Sequence, residues 1–353
     1  MTDLKIELMN EENVADFCGL STVGGDEALQ SSHEHIAWKH LESPEGPSTA
    51  FSLFADGEPI GRTVLQPRAF QTSNQMLRGA FMVDLFIHPK FRGGPRFLQL
   101  MQAVEEVRNF DFVCHSANRI SDQLFRAILC RPNPFGLSAY GMPLRLQWLK
   151  RMGFPKEFAV VLEPGMRALL HASVLLFRST NPPIFSDSPP DNIDFMRVRE
   201  AFASASGPHF VRSLEFLKWR YASSPVWSGN CRHIYLGDRY CGYLGLSDVA
   251  ILGGRFCVLS DIMLDPSLPK RVIRDIRLAM IVEALTADFD ALYLMLNQRN
   301  AFARRLLGYP FFPVPERFLP HPVPLFLHAI TPDAKALAQD AGTYLTLADL
   351  DYF

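Results

Sequence analysis

Three groups of side chains could do chemistry in this chain. Asp84 stands inside an apolar run, Gly79–Ile87, that reads as a strand. A carboxylate beside apolar surface has a raised pKa and can take a proton, directly or through water. The bland alternative is a structural acid that caps a turn or pairs with an arginine. His115 and Ser116, with Asn118 two residues on, follow a second short apolar strand, Phe110–Cys114. A histidine there can act as a base near neutral pH, or simply hydrogen-bond at a strand end. His33, Glu34, His35 and His40 gather on or beside a short helix. Their spacing is not that of a metal site, and none of the six cysteines (Cys18, Cys114, Cys130, Cys231, Cys241, Cys257) forms a C-x-x-C pair or a zinc-spaced cluster. Free thiols in a reducing, cytoplasmic setting are expected.

The elements that must position these groups occur twice. His35–Pro44 aligns with Phe216–Pro225, so that Trp38 pairs with Trp219, Pro44 with Pro225 and, further on, Gly61 with Gly242, all at an offset of 181. Val83-Asp84…Pro89 aligns with Ser260-Asp261…Pro266 at 177, and Phe110-Asp111 and Asn118 align with Phe289-Asp290 and Asn297 at 179. Offsets that drift by a few residues through ordered blocks mean two copies of one unit. Each copy reads as a short tryptophan helix, two hairpin strands turning at Asp56-Gly57 and Gly237-Asp238, a strand closed by X-Pro, a helix (Phe97–Val107; Ile273–Leu285), a short strand and a second helix (Ser121–Leu129; Ala301–Leu307). The expected class is α/β with a mixed sheet (α+β), in two domains: 1–180, a Pro/Ser/Asp-rich linker at 181–190, and 191–353.

With 353 residues, 48% hydrophobic and a net charge of −2 (35 basic against 37 acidic residues), two cored domains are affordable and a general polyanion binder such as a DNA coat is not expected. Met1–Asn10 has no basic segment leading into an apolar one, so no secretory signal is read. The longest apolar run, Ala168–Phe177, is far short of the roughly 20 residues that span a bilayer, which leaves a core, interfacial or interdomain helix.

The element order, together with Val83-Asp-Leu-Phe-Ile-His-Pro-Lys-Phe-Arg-Gly-Gly94, resembles the GNAT N-acetyltransferase superfamily in tandem, and more broadly bacterial double-GNAT proteins that share the tryptophan helix, the Ser43-Pro-Glu-Gly46 step and a C-terminal Asp-Leu-Asp351-Tyr-Phe. The resemblance implies that the strand residues Leu85, Phe86 and Ile87 pair with a pantetheine arm. It implies that Arg92, Gly93, Gly94 and Arg96, with Asn118, hold the coenzyme A end of acetyl-CoA or another acyl-CoA, using loop and helix N–H groups. Asp84 and His115 become the catalytic candidates, and His33, His35 and Ser116 line an acceptor pocket. The chain departs from the pattern at Pro95, which has no N–H to give, and at Phe97, a bulky ring where the family keeps Gly or Ala. The tyrosine that protonates the departing thiolate in the family is absent, with Phe125 and Arg304 near its place. The second copy, Asp265–Ile273, has no glycine in its loop.

The implied activity is acyl transfer from a thioester to a primary amine of a small metabolite, amino acid or amino sugar, by the first copy, with a degenerate second copy and no metal. Two alternatives stay open: the same fold using aminoacyl-tRNA or acyl-carrier protein as donor, and an inactive binding scaffold. A homodimer is possible.

Overall fold

The computed structural model describes residues 2–23, 32–92, 95–117, 122–123, 125–126, 135–148, 155–177, 179–225, 229–251, 253–309, 311–315, 324–337 and 342–350. Gly93, Gly94 and Asn118 lie outside the described residues, as does most of the expected helix Ser121–Leu129. The chain has a mixed α/β architecture with two mixed sheets, one in each of two compact units.

The first unit is built on β1 (Thr2–Leu8), β2 (Thr49–Ala55), β3 (Glu58–Gln71), β4 (Met76–Ile87) and β5 (Phe112–Ser116), in that spatial order. The expected hairpin at Asp56-Gly57 joins β2 to β3. The N-terminal segment, which read as merely polar, is a strand paired with β2, followed by α1 (Glu11–Val23). The tryptophan helix is α2 (His33–His40), started by Ser32, whose hydroxyl accepts from His35 N at 3.2 Å. The helix after the loop is α3 (Arg96–Glu105), whose apolar face (Phe97, Leu100, Met101, Val104) packs with Phe51, Leu65, Val113 and Phe125 into one core.

The second unit repeats the plan. β10 (Gly229–Leu236), β11 (Arg239–Ile251), β12 (Gly254–Leu264) and β13 (Ala291–Leu296) correspond to β2–β5, and α7 (Lys270–Thr286) and α8 (Ala301–Leu306) to the helices of the first copy. It also holds α4 (Lys156–Phe177) and α5 (Asn192–Ser206). The matched glycines now have a cause. Gly242 has φ +133, and a Cβ there would lie 2.0 Å from the Met263 carbonyl oxygen; at Gly61 a Cβ would lie 3.2 Å from the Phe86 carbonyl oxygen. Both sit where the hairpin strand crosses close to the next strand.

The two sequence copies do not coincide with the two units. The units comprise Met1–Gly136, Pro208–Val226 and Val323–Ala341, and Leu137–Gly207, Trp227–Pro322 and Gly342–Phe353. β7 (Ser138–Pro143), which follows the first copy, pairs antiparallel with β13 of the second sheet; β15 (Pro324–Ala329), which follows the second copy, pairs with β5 of the first. The short β6 (Phe135–Gly136) and β9 (His209–Phe210) add to the first sheet. β14 (Phe312–Pro313) and β8 (Ile184–Ser186) add to the second. The Pro-rich stretch at 181–190 therefore contains an edge strand. The second copy's tryptophan helix, α6 (Leu214–Leu217) and the wider turn Lys218–Ala222, belongs to the first unit. There Trp38 and Trp219 stack at 4.9 Å, and each indole Nε1–H donates to the other's backbone carbonyl at 2.9 Å. Buried indoles need such a partner, and here each supplies the other's.

Candidate functional site

The site grows from a misfit between two strands. Along β3 and β4, Arg62 pairs with Phe86 and Val64 with Val83, so Asp84 and Leu85 together oppose Thr63. This is a β-bulge, and Asp84 takes a left-handed conformation in it, φ +52. Aspartate tolerates that region better than most residues, which is one reason for its type here. Beyond the bulge β4 also parts from β5. Their parallel pairing covers only Gly79–Phe81 against Phe112–Cys114, while β5 carries on to Ser116 beside β15. Asp84, Leu85, Phe86, Ile87 and His88 are half-buried along the parted edge.

Asp84 faces the polar side of α2. Lys39 Nζ donates to Oδ1 at 3.0 Å and His40 Nε2 to Oδ2 at 2.7 Å. Burial alone would raise the Asp84 carboxyl. The Lys39 ammonium, the His40 hydrogen bond and charge, and the Arg62 guanidinium outweigh it and hold the group well below the usual carboxylate range. The expectation of a raised pKa is thus corrected: the bulge brings α2's cations against the carboxylate, and the sequence spacing of 44 and 45 residues hid them. The Asp84 side chain keeps 21% of its surface exposed, against 11% for Lys39 and none for His40. An ionised carboxylate can only accept, so the proton of the His40–Asp84 bond sits on Nε2, and Nδ1 meets Ser48 Oγ at 3.1 Å. Ser48 is fully buried, so its hydroxyl orients the imidazole and no substrate can reach it.

His35 lies one helical turn before Lys39, 6% exposed, its ring 5.4 Å from that of Trp38. Burial, then the charge of Lys39, push its pKa down to about 4, so it is neutral near pH 7. Its Nδ1 makes no hydrogen bond among the described residues. His33 is exposed at the helix start. The chemistry of α2 therefore centres on Lys39 and His40, neither of which sequence spacing brings to Asp84.

His115 falls elsewhere. It is fully buried, its ring 4.1 Å from Phe125 and stacked on Phe326 at 5.2 Å. Strand alternation turns it into the aromatic core, whereas Ser116, next along, is half-buried. In this arrangement no acceptor reaches His115.

The loop after β4 runs through a short 3-10 turn, Pro89–Phe91, into α3. Arg92 is exposed; its Nε donates to the Ile87 carbonyl at 3.0 Å and its guanidinium lies 5.9 Å from the Phe86 ring. Pro95 caps α3 without a side-chain hydrogen bond, so Pro95 costs the helix no donor and the N–H groups of Arg96, Phe97 and Leu98 precede the first intrahelical bond, Gln99 N to Pro95 O at 2.8 Å. Phe97 points into the core, 9% exposed and 5.6 Å from Phe125. Its bulk is spent on packing and does not fill the loop.

The equivalent place in the second unit is closed. Asp261 sits on the matching bulge, where β11 and β12 shift register between Gly245 and Leu246. It is fully buried and accepts from Tyr243 Oη at 2.6 Å, Thr346 Oγ1 at 2.9 Å and Ile262 N at 2.9 Å. Where β12 and β13 part, the segment 342–350 fills the gap: Thr346 bridges Leu296, Asn297 N donates to Leu345 O, and Tyr344 Oη donates to Ile262 O at 2.5 Å. The following loop is tied down by Arg305, which donates to the carbonyls of Pro266 and Leu268, and by Arg239 on Asp265 at 2.6 Å. Among the described residues there is no cluster of His, Cys, Asp and Glu fit to hold a metal, and no helix is long and apolar enough to cross a membrane.

No protein-family model matches the chain, and no curated protein does either. Solved structures do. A conserved protein of unknown function from Enterococcus faecalis V583, described as a probable N-acyltransferase, is 10% identical, with TM-score 0.59 over 93% of this chain and 73% of that one. A GCN5-related N-acetyltransferase from Anabaena variabilis is 10% identical, with TM-score 0.61 over the same shares. Saccharomyces cerevisiae N-myristoyltransferase, solved with myristoyl-CoA bound, is 11% identical, with TM-score 0.58 over 92% of this chain and 78% of that one. Likeness at such low identity is likeness of fold: the chain has the fold of these N-acyltransferase structures.

Proposed function

We propose that the protein is an N-acyltransferase that moves an acyl group from an acyl-CoA to a primary amine on a small metabolite, amino acid or amino sugar, using the first unit alone. The observation that carries this is the charged, part-exposed Asp84 on the β4 bulge, at the mouth of strands that part and lead into the start of α3. The parted edge of β4 at Leu85–Ile87 offers unpaired backbone groups to a pantetheine arm. The N–H groups opening α3, which precede its first intrahelical bond, suit a pyrophosphate together with Arg92 and Arg96, and the sequence sets Gly93 and Gly94 beside them. The similar fold of a myristoyl-CoA-bound transferase supports a thioester donor.

Asp84 is ionised throughout the neutral range, so it binds and orients the acceptor amine. Lys39 and His40 are positioning residues that fix the carboxylate. As the amine nitrogen bonds to the thioester carbon, the adduct's N–H becomes acidic and its proton passes towards Asp84 or solvent water. The carbon–sulfur bond then breaks and the coenzyme A thiolate leaves.

The test is release of coenzyme A thiol from a panel of acetyl- to long-chain acyl-CoAs with pooled primary amines. Asp84→Asn is expected to lower kcat/KM by about 100-fold or more, and Arg92→Glu to weaken acyl-CoA binding with the melting temperature of the free protein unchanged. No thiol release with any donor, or full activity in Asp84→Asn, rejects the reading and turns attention to carrier-protein or aminoacyl-tRNA donors.

A further inference from the structure

The helix α4 (Lys156–Phe177) is largely apolar, apart from Lys156, Glu157, Glu163, Arg167, His171 and Ser173, yet among the described residues only one side of it is covered. Leu170 and Ser173 are buried, and Glu163, Met166 and Val174 half-buried, on the side that packs towards α7. On the rest, Val160 is 59% exposed, Val161 74%, Leu162 43%, Leu169 65%, Leu175 77% and Leu176 78%. A helix apolar on every side is normally buried on every side. Taking on the order of 100 Å² of apolar surface per fully exposed side chain of this size, these six hold roughly 400 Å². Pro164, Ala168 and Ala172, also exposed, add to that. Each partner of a standard interface contributes about 800 Å², a little over half of it apolar, so the apolar surface that this helix leaves exposed approaches what a stable dimer needs.

The pattern on that face also reads the same in both directions. Val161, Pro164, Ala168, Ala172 and Leu175 lie along one line of the helix, opposite the covered side, at steps of three, four, four and three. A palindromic stripe matches itself when two copies cross antiparallel with Ala168 on the two-fold axis. Ala168 then meets Ala168, Pro164 meets Ala172, and Val161 meets Leu175, with Leu162 against Leu176 on one flank. Small residues in the middle let the helices approach closely, and large ones close both ends.

We infer that α4 is the self-association surface of this protein, an isologous antiparallel helix pair centred on Ala168. A membrane surface suits it less well. Interfacial helices carry a basic polar side, whereas the exposed charged side chains described on α4 are one acid, Glu157, and one base, Arg167. This inference does not depend on the chemistry of Asp84.

The test is the mass of the full chain by light scattering and sedimentation between about 1 and 50 µM. Wild type is expected at twice the chain mass. Ala168→Glu sets two carboxylates face to face at the axis, and is expected at the chain mass with an unchanged circular dichroism spectrum. Ala168→Cys is expected to form a disulfide-linked pair on oxidation, judged against wild type with its native cysteines. A monomeric wild type, a dimer that survives Ala168→Glu, or an Ala168→Cys protein that does not cross-link each overturns the inference. Flotation of a monomeric wild type with phosphatidylcholine vesicles would overturn it in favour of a membrane surface.

Discussion

Asp84 shows how far a single residue type can be read without its surroundings. The apolar strand around it argued for a neutral or weakly basic carboxyl; two cations on α2 and one on β3 make it a fixed anion. Depressed carboxylates and depressed histidines both weaken the fold as pH falls, in different windows. Asp84, depressed in the folded state, stabilises the fold above the unfolded carboxylate value near 3.9, and that stabilisation is lost as pH falls through its folded value. His35 and His233, both buried and both held down at about 4, act in the same direction at higher pH, in the histidine range. Below the unfolded value near 6.5 the unfolded chain takes up protons that the folded chain refuses. Stability is therefore expected to fall as pH drops from about 6.5 to 4 and to be flat just above that window. Melting temperatures across pH 4–8 check this: His35→Gln and His233→Gln should each flatten the slope, and a slope unchanged in both variants refutes the assignment.

At the scale of elements, the repeat made most of the fold legible. Paired tryptophans, glycines and Asp-x-x-x-x-Pro steps fixed the hairpins, the bulged strands and the helices after them, because those positions are set by local geometry. What was not legible follows from contacts that span the sequence. The approach of Lys39 and His40 to Asp84 depends on a bulge whose register no local pattern announces, and the burial of His115 depends on Phe326, more than 200 residues away. The strand at Thr2–Leu8 was legible, since Leu4, Ile6 and Leu8 alternate with Asp3, Lys5 and Glu7, but the charge of the segment masked that period. The glycines allow a direct check. Gly242→Ala places a Cβ 2.0 Å from a backbone oxygen at a positive φ, whereas Gly57, with φ +83, has nothing within 4 Å of the same position. Gly57→Ala is expected to cost about 1 kcal/mol and Gly242→Ala at least 3, read by urea unfolding. Equal costs would mean that the strand crossing at Gly242 is looser than described.

At the scale of the molecule, duplication has given two bulged sheets and left one of them shut. Asp84 looks out of an open edge, while Asp261 is enclosed by Tyr243, Thr346 and the 342–350 segment. Titration calorimetry with the acyl-CoA that supports thiol release is therefore expected to give one site per chain, abolished by Arg92→Glu. Two sites per chain would show that the C-terminal segment leaves the second cleft.

The exchange of β7 and β15 bears on how such a chain comes into being. A polypeptide leaves the ribosome from its N-terminus, so the first sheet, begun by Thr2, waits for Pro324–Ala329 before its β5 edge is covered. The second sheet, by contrast, takes a strand made long before the rest of it exists. Neither half of the sequence encodes a whole sheet, so cutting the chain between the two copies would leave each sheet without one of its strands.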